Sequence, residues 1–293
     1  MKKALLKLLS FLLILCLTDI LAGYLFTYMQ SNSPSYLPEY IAKDAKEDVI
    51  ILGSSKGGSN YNMSLLNDSL EMTCLNCSET GNGIISMYGR YKLLTKRYTP
   101  KVIIYDVKPQ FDLNENDNSK YTMRLKPFYK KAGIDSIILS TDEKEKYKMH
   151  SALYRYNFQF LEILKDYISQ SPFNRSGDNL SRQTMQIIPK AEAPITVNYD
   201  SLKLDYLEEL IKDCQLRGIH LVFVVSPEYF YYDSISYAPL ISLCNNYNIP
   251  FIDKSSDVQF VGHSDLFFDS LHMNYWGATK WSEFIVHYIQ DNL

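Results

Sequence analysis

Three short runs constrain the fold most. DVIILG (Asp48–Gly53), KVIIYDV (Lys101–Val107) and IHLVFVVSP (Ile219–Pro227) are apolar at nearly every position rather than at alternate ones. A strand that reads this way is buried on both faces, as in a parallel sheet covered by helices. Helical stretches separate the runs: IISMYGRYKLLTKRY (Ile84–Tyr98), stopped by Pro100, and Ser201–Arg217, closed by Gly218. MTCLNC and PFIDK supply two shorter strands, and further helices are expected at Tyr237–Tyr247 and from about Gly277 to Asp291. Strands alternating with helices predict an α/β fold of three layers, α/β/α, around a parallel sheet.

The N-terminus has another character. Lys2, Lys3 and Lys7 lead into LLSFLLILCLTDILAGYLF, Leu8 to Phe26, which is close to the roughly 20 residues that span a bilayer. Lysines on the leading side place that end inside and the body of the protein outside. A cleaved signal peptide is the rival, but its apolar region is shorter and ends at small residues; here Ala22-Gly23 is the one small pair near the end of the run. Cys16 would suit a lipoprotein, yet Leu15 stands before it. Asp19 is costly inside such a run and is expected to face a partner or to snorkel. Residues 1–29 are therefore expected to form an uncleaved signal-anchor, a transmembrane helix. Residues 30–47, with Pro34 and Pro38, read as a polar tether, and 48–293 as the main domain. Between about 110 and 198 the alternation fails, and one strong helical pattern, ALYRYNFQFLEILKDYI, stands among charged runs and polar loops. A stretch this long reads as an insertion that caps one end of the sheet.

Composition removes some function classes. Thirty Lys and Arg against 33 Asp and Glu give a net charge of −3, with no basic footprint for nucleic acid. Cys74 and Cys77 have redox or zinc-knuckle spacing, but no second pair or nearby histidine completes a metal site. Cys214 and Cys244 lie in apolar helical contexts and read as buried thiols. His150, His220, His263 and His287 share no helix face or tight spacing with carboxylates, so neither a metal nor another cofactor is expected. His220 and His287 read as structural, while His263 is close enough to His272 to line a cleft.

In open parallel sheets, ligands bind outside the carboxyl ends of the strands. The first strand ends there in Gly53-Ser54-Ser55. A phosphate loop needs a different spacing, with Lys56 too early for it. A nucleophile lifted by a sharp turn and a plain strand-to-helix turn both remain open. FFDSLHMNYWGATKWSEFI, near the C-terminus, adds Asp269 and His272 with two residues between them. A serine hydroxyl needs a base to remove its proton, and an imidazole oriented by a carboxylate is such a base. The alternative is that Asp269 or Asn274 caps the last helix and His272 is a surface residue.

These two motifs, in this order along an α/β frame, resemble those of the SGNH (GDSL-like) hydrolases, in particular the membrane-anchored bacterial envelope type. The resemblance runs from Val49 to the C-terminus and is interrupted by the insertion. It implies a flavodoxin-like sheet, with Ser55 as nucleophile, His272 as base and Asp269 as its orienting carboxylate. Ser54 stands where the family usually has aspartate. The resemblance also implies an oxyanion hole built from the Ser55 amide, Ser78 at the family's glycine and Gln110 at its asparagine. The implied activity is that of a serine esterase or O-acyltransferase acting on acyl esters, acetyl above all, of cell-surface glycans. The implied partners are that acylated glycan or another ester substrate, the membrane through the N-terminal helix, and envelope polysaccharide machinery. The implied location is the bacterial cytoplasmic membrane, single-pass, with the catalytic domain periplasmic or otherwise extracytoplasmic. The competing reading is a catalytically degenerate SGNH fold that binds or assembles polysaccharide components.

Overall fold

The computed structural model describes residues 1–174, 180–188, 198–230 and 237–293. The chain divides into two compact units, one of 1–44 with 119–173 and one of 45–118 with 174–293. Within the expected insertion, 175–179 and 189–197 lie outside the described residues.

The larger unit is built on a five-stranded parallel sheet. Its strands are β1 (Val49–Gly53), β2 (Cys74–Asn76), β3 (Val102–Asp106), β4 (His220–Val225) and β5 (Phe251–Asp253). They lie in the order β2-β1-β3-β4-β5, all neighbours parallel. This is the flavodoxin-like order, whose direction of winding reverses between β1 and β3. The expected α/β class is the observed one.

Alternation along each strand sorts the side chains between two helical layers. Val49, Ile51, Val102, Ile104, Val222 and Val224 form one core with Leu66 and Leu70 of the helix Met63–Leu70, and with Trp281, Ile285 and Ile289 of the helix Tyr275–Asn292. The opposite face meets the helices Ile84–Thr95 and Ser201–Arg217. Both faces are buried, which is why these strands carry no polar alternation.

Helix boundaries follow local chemistry. Asp200 caps Ser201–Arg217 by accepting the N–H of Leu202 at 2.9 Å, and Gly218 closes it at φ 68°. The last helix starts at Tyr275, two residues before the expected Gly277, because Asn274 Oδ1 accepts from the amides of Trp276 and Gly277. The cysteines behave as small apolar residues: Cys74, Cys77, Cys214 and Cys244 are buried free thiols, and burial pushes each up to about 12.

The smaller unit gathers the N-terminal helix Lys2–Ser31, the helix Leu37–Lys43, all but the first residue of the 3₁₀ stretch Asn118–Phe128 and four helices between Ile134 and Ser169. Lys2–Ser31 is long and apolar enough to cross a membrane, and by length and composition it fits an anchor as well as a signal sequence. The stretch expected as a tether contains Leu37–Lys43, with Tyr36, Tyr40 and Ile41 buried. The single helix expected from ALYRYNFQFLEILKDYI is two, Ala152–Tyr156 and Phe160–Ser169. Gln159 makes the break useful: its amide donates to the carbonyl of Met123 at 2.7 Å and accepts from the Tyr36 hydroxyl. Asp19 has the partner its cost demanded, accepting from the Ser151 hydroxyl at 2.6 Å and from the amides of Ala152 and Leu153, each at 2.9 Å.

Candidate active site

β1 runs into the helix Ser55–Ser59 through Gly53 and Ser54. Gly53 is required at this turn, because a Cβ there would stand 2.7 Å from the carbonyl oxygen of Asp106 on β3. The close approach of the two strands leaves Ser54 buried and turns Ser55 outward at the first helical position. This is the carboxyl end of β1 at the reversal point of the sheet, where open α/β folds place ligands.

The C-terminal loop meets it there. Ser55 Oγ lies 2.8 Å from His272 Nε2, and His272 Nδ1 lies 2.8 Å from Asp269 Oδ2. Ser55, His272 and Asp269, 217 and three positions apart along the chain, thus form one continuous relay. Asp269 is held in turn, its Oδ1 accepting from the amides of Leu271 and His272 at 2.9 Å each. Burial raises the Asp269 carboxyl, but the His272 hydrogen bond and these two amides outweigh it and hold the group below its ordinary value. Capping of the last helix belongs to Asn274, so Asp269 is free of that role.

Ser78 and Gln110, expected beside the Ser55 amide in an oxyanion hole, have partners of their own. The Ser78 amide donates to Asn76 Oδ1 at 3.0 Å, closing a turn after β2, and its hydroxyl is buried. Ser78 packs on Gly57, where a Cβ would collide with its hydroxyl, and Arg90 pins the same loop through Glu79 and the Cys77 carbonyl. Gln110 is exposed on the short helix Pro109–Asp112, and its carbonyl accepts from Asn116. Among the described residues, no hydrogen bond joins Ser78 or Gln110 to Ser55 or His272.

Behind the turn stands a polar cluster that the sequence did not reveal. Lys56 is fully buried, its ammonium donating to the Ser226 carbonyl at 2.7 Å and to Glu228 Oε1 at 2.8 Å. Lys108 reaches the same Glu228 oxygen at 2.9 Å. Burial raises the Glu228 carboxyl, and the two ammonium groups overcome this to hold it below its ordinary value. Asp106, at the end of β3, accepts the Ser226 amide at 3.2 Å, and burial raises its carboxyl despite Lys56. Asn60 joins this cluster to the base: its amide donates to Ser226 Oγ, and its Oδ1 accepts the N–H of Met273, the residue after His272, each at 2.9 Å. The available signal was a set of polar residues directly following apolar strands, as in Val225-Ser226-Pro227-Glu228.

His220 pairs with the Tyr288 hydroxyl at 3.2 Å, His287 is exposed, and His263 lies 3.9 Å from Asp265. No group of three or more His, Cys, Asp or Glu able to hold a metal ion occurs among the described residues.

No family model matches the chain, and no curated protein does. Several solved structures are similar to it. One is a Bacteroides fragilis protein described as an acylhydrolase, with 10% identity and a TM-score of 0.44 over 87% of this chain and 95% of that one. Another is a psychrotrophic esterase from Pseudoalteromonas, with 13% identity and a TM-score of 0.41 over 83% and 94%. A third is an acetyl xylan esterase, with 12% identity and a TM-score of 0.41 over 84% and 98%. At such identities and scores the likeness transfers no function.

Proposed function

We propose that this protein is a serine esterase or O-acyltransferase of the SGNH type, anchored in the bacterial cytoplasmic membrane by its N-terminal helix with the catalytic domain outside. The observation that carries this reading is the relay from Ser55 Oγ to His272 Nε2 and from Nδ1 to Asp269, at 2.8 Å for each bond. In the proposed reaction Ser55 Oγ attacks the ester carbonyl as His272 takes its proton. Asp269 steadies the imidazolium, and His272 then protonates the departing alkoxide. Water or a hydroxyl of an acceptor sugar, deprotonated by His272, attacks the acyl-serine and restores Ser55. Of the oxyanion donors that the resemblance nominates, the Ser55 amide is the one its position favours, since an amide at a first helical position lacks an intrahelical partner. The Ser78 amide would have to leave Asn76 Oδ1 to join it, and the exposed Gln110 is the remaining nominee. An acyl ester of a cell-surface glycan is the proposed substrate class, on the resemblance to anchored envelope enzymes.

A second reading, a degenerate fold that binds or assembles polysaccharide components, draws on the engaged Ser78 amide and the exposed Gln110. Labelling of the purified full chain with a fluorophosphonate separates the two. The catalytic reading expects a covalent adduct on Ser55, abolished in Ser55→Ala and retained in Ser54→Ala. A folded sample that takes no label supports the second reading. If labelling succeeds, an acetyl-ester donor offered with and without a sugar acceptor distinguishes transfer from hydrolysis.

A further inference from the structure

The N-terminal helix is not free along its whole length. From Asp19 to Met29 it is packed within its unit against the helices Ala152–Tyr156 and Phe160–Ser169. Asp19 takes the amides of Ala152 and Leu153, and a Cβ on Gly23 would meet Ala152 Cβ at 2.8 Å. Phe26 meets the rings of Tyr156 and Phe160 at 5.3 and 5.9 Å, and Met29 shares a small core with Tyr156 and Ile163.

This packing conflicts with a simple picture of an anchor in lipid and a body in water. Lys7 is the last charge before the apolar run. A hydrocarbon core of about 30 Å takes about 20 residues, so a span that begins there ends near Thr27. Asp19 lies only about 18 Å along it. Counted from Lys3 instead, the span still reaches about Gly23. On either count the packed helices overlap the outer part of the membrane-spanning stretch.

Their outward surface suits that depth. Leu161 and Ile168 are 67% and 71% exposed, and Leu153 and Phe158 are exposed as well. On the helix Phe160–Ser169, positions 161, 165 and 168 share a face. Lys165 therefore stands between two exposed aliphatic residues, where its stem can lie in the apolar layer while its ammonium reaches a lipid phosphate. The first helix adds exposed Tyr24 and Tyr28, residues suited to the interface between lipid and water. Residues 119–173 carry ten Lys and Arg against six Asp and Glu, although the whole chain is acidic. The two helices themselves balance Arg155 and Lys165 against Glu162 and Asp166, and an apolar face within a segment of net positive charge suits the boundary layer of an anionic bilayer.

We propose that the helices Ala152–Tyr156 and Phe160–Ser169 form a membrane-embedded collar around the outer part of the N-terminal helix, seated in the headgroup and upper acyl region through Leu161 and Ile168. The proposal rests on the anchor reading of the first helix, and its test separates the two. The full chain with Cys16→Ser, the one exposed cysteine removed, is reconstituted in nanodiscs of phosphatidylethanolamine and phosphatidylglycerol. An environment-sensitive fluorophore is attached in turn to Leu9→Cys, Leu161→Cys and Ile168→Cys, and quenching by brominated acyl chains and by aqueous iodide is measured. The collar expects lipid quenching and iodide protection at all three positions. Iodide quenching at 161 and 168, with lipid quenching at Leu9→Cys, overturns the collar and leaves the anchor standing. Protection at 161 and 168 from both quenchers also overturns it, because a protein surface then covers this face. Iodide quenching at Leu9→Cys removes the anchor and the collar together.

Discussion

Asn60 Oδ1 accepts the backbone N–H of Met273 at 2.9 Å, so a residue five positions after Ser55 holds the chain next to His272. The separation of Ser55 from its base is thus set by a buried side chain as well as by the direct hydrogen bond. Asn60→Ala leaves the Met273 amide and the Ser226 hydroxyl without this partner, at a cost of about 1–3 kcal/mol in stability. Fluorophosphonate labelling is expected to slow by more than the stability loss explains, because the His272 loop is released. Asn60→Asp keeps the acceptor for Met273 and is expected to recover much of the labelling rate. Equal slowing in the two variants would assign the defect to lost packing alone.

Asp269→Asn is expected to leave the turn folded, since the asparagine oxygen can still accept from the Leu271 and His272 amides. Its amide nitrogen, facing His272 Nδ1, favours the wrong tautomer for a base at Nε2. The corresponding substitution in a serine protease costs about 10⁴-fold in kcat. Because Asp269 is 46% exposed, water can replace part of its role, and a loss between about tenfold and 10⁴-fold is expected. Steady-state hydrolysis of a small acetyl ester measures it. A loss below about tenfold would reduce Asp269 to a turn-forming residue.

The contrast between Asp269 and Lys56 explains how much of the site could be read in advance. Asp269 and His272 meet within one loop, so their spacing alone carries the relation. Lys56 and Glu228 meet across 172 positions, and no local pattern marks a lysine that will be buried. The sheet was legible because burial on both faces leaves continuous apolar runs. The break at Gln159 was not, since the helical periodicity continues through it while the deciding partners, Tyr36 and Met123, lie far away in sequence. Counting from the strand ends nominates Ser78 and Gln110 for the oxyanion, but the Asn76 turn that engages the Ser78 amide is a feature of the folded loop.

The cluster behind Ser55 is expected to be fragile to single changes. Glu228→Gln leaves the buried Lys56 ammonium, and that of Lys108 beside it, without the carboxylate they share. Breaking a buried pair in this way typically costs about 3–5 kcal/mol. Lys56→Met is expected to cost less, because Glu228 keeps Lys108 at 2.9 Å. The double variant should be less destabilised than the sum of the two, with a coupling of about 0.5–3 kcal/mol. Thermal unfolding in one detergent measures all three. Strict additivity would mean that Lys56 and Glu228 do not act as a pair.

Asp112 gives the stability a pH dependence whose sign can be worked out. It is fully buried, accepting from the Tyr105 hydroxyl at 2.6 Å and the Lys108 amide at 2.7 Å. Burial raises its carboxyl to about 6 from 3.8, although Tyr105, the Lys108 amide and Lys203 all oppose the rise. Between those values the folded protein holds a proton that the unfolded chain releases, so protonation of Asp112 favours folding. That contribution is full below about pH 4 and lost as the pH climbs through about 6. At about 1.36 kcal/mol per pH unit the swing is of the order of 3 kcal/mol. Asp112→Asn carries no titrating group there, so its stability relative to wild type should rise from pH 4 to pH 6 and stay level above. Following the difference rather than either curve removes the opposing contribution of Asp269 and Glu228, which weaken the fold as the pH falls through their lowered values. A difference that is flat from pH 4 to pH 7, measured by thermal unfolding in one detergent, would show that Asp112 is ionised throughout and that Lys203 and its hydrogen bonds outweigh its burial.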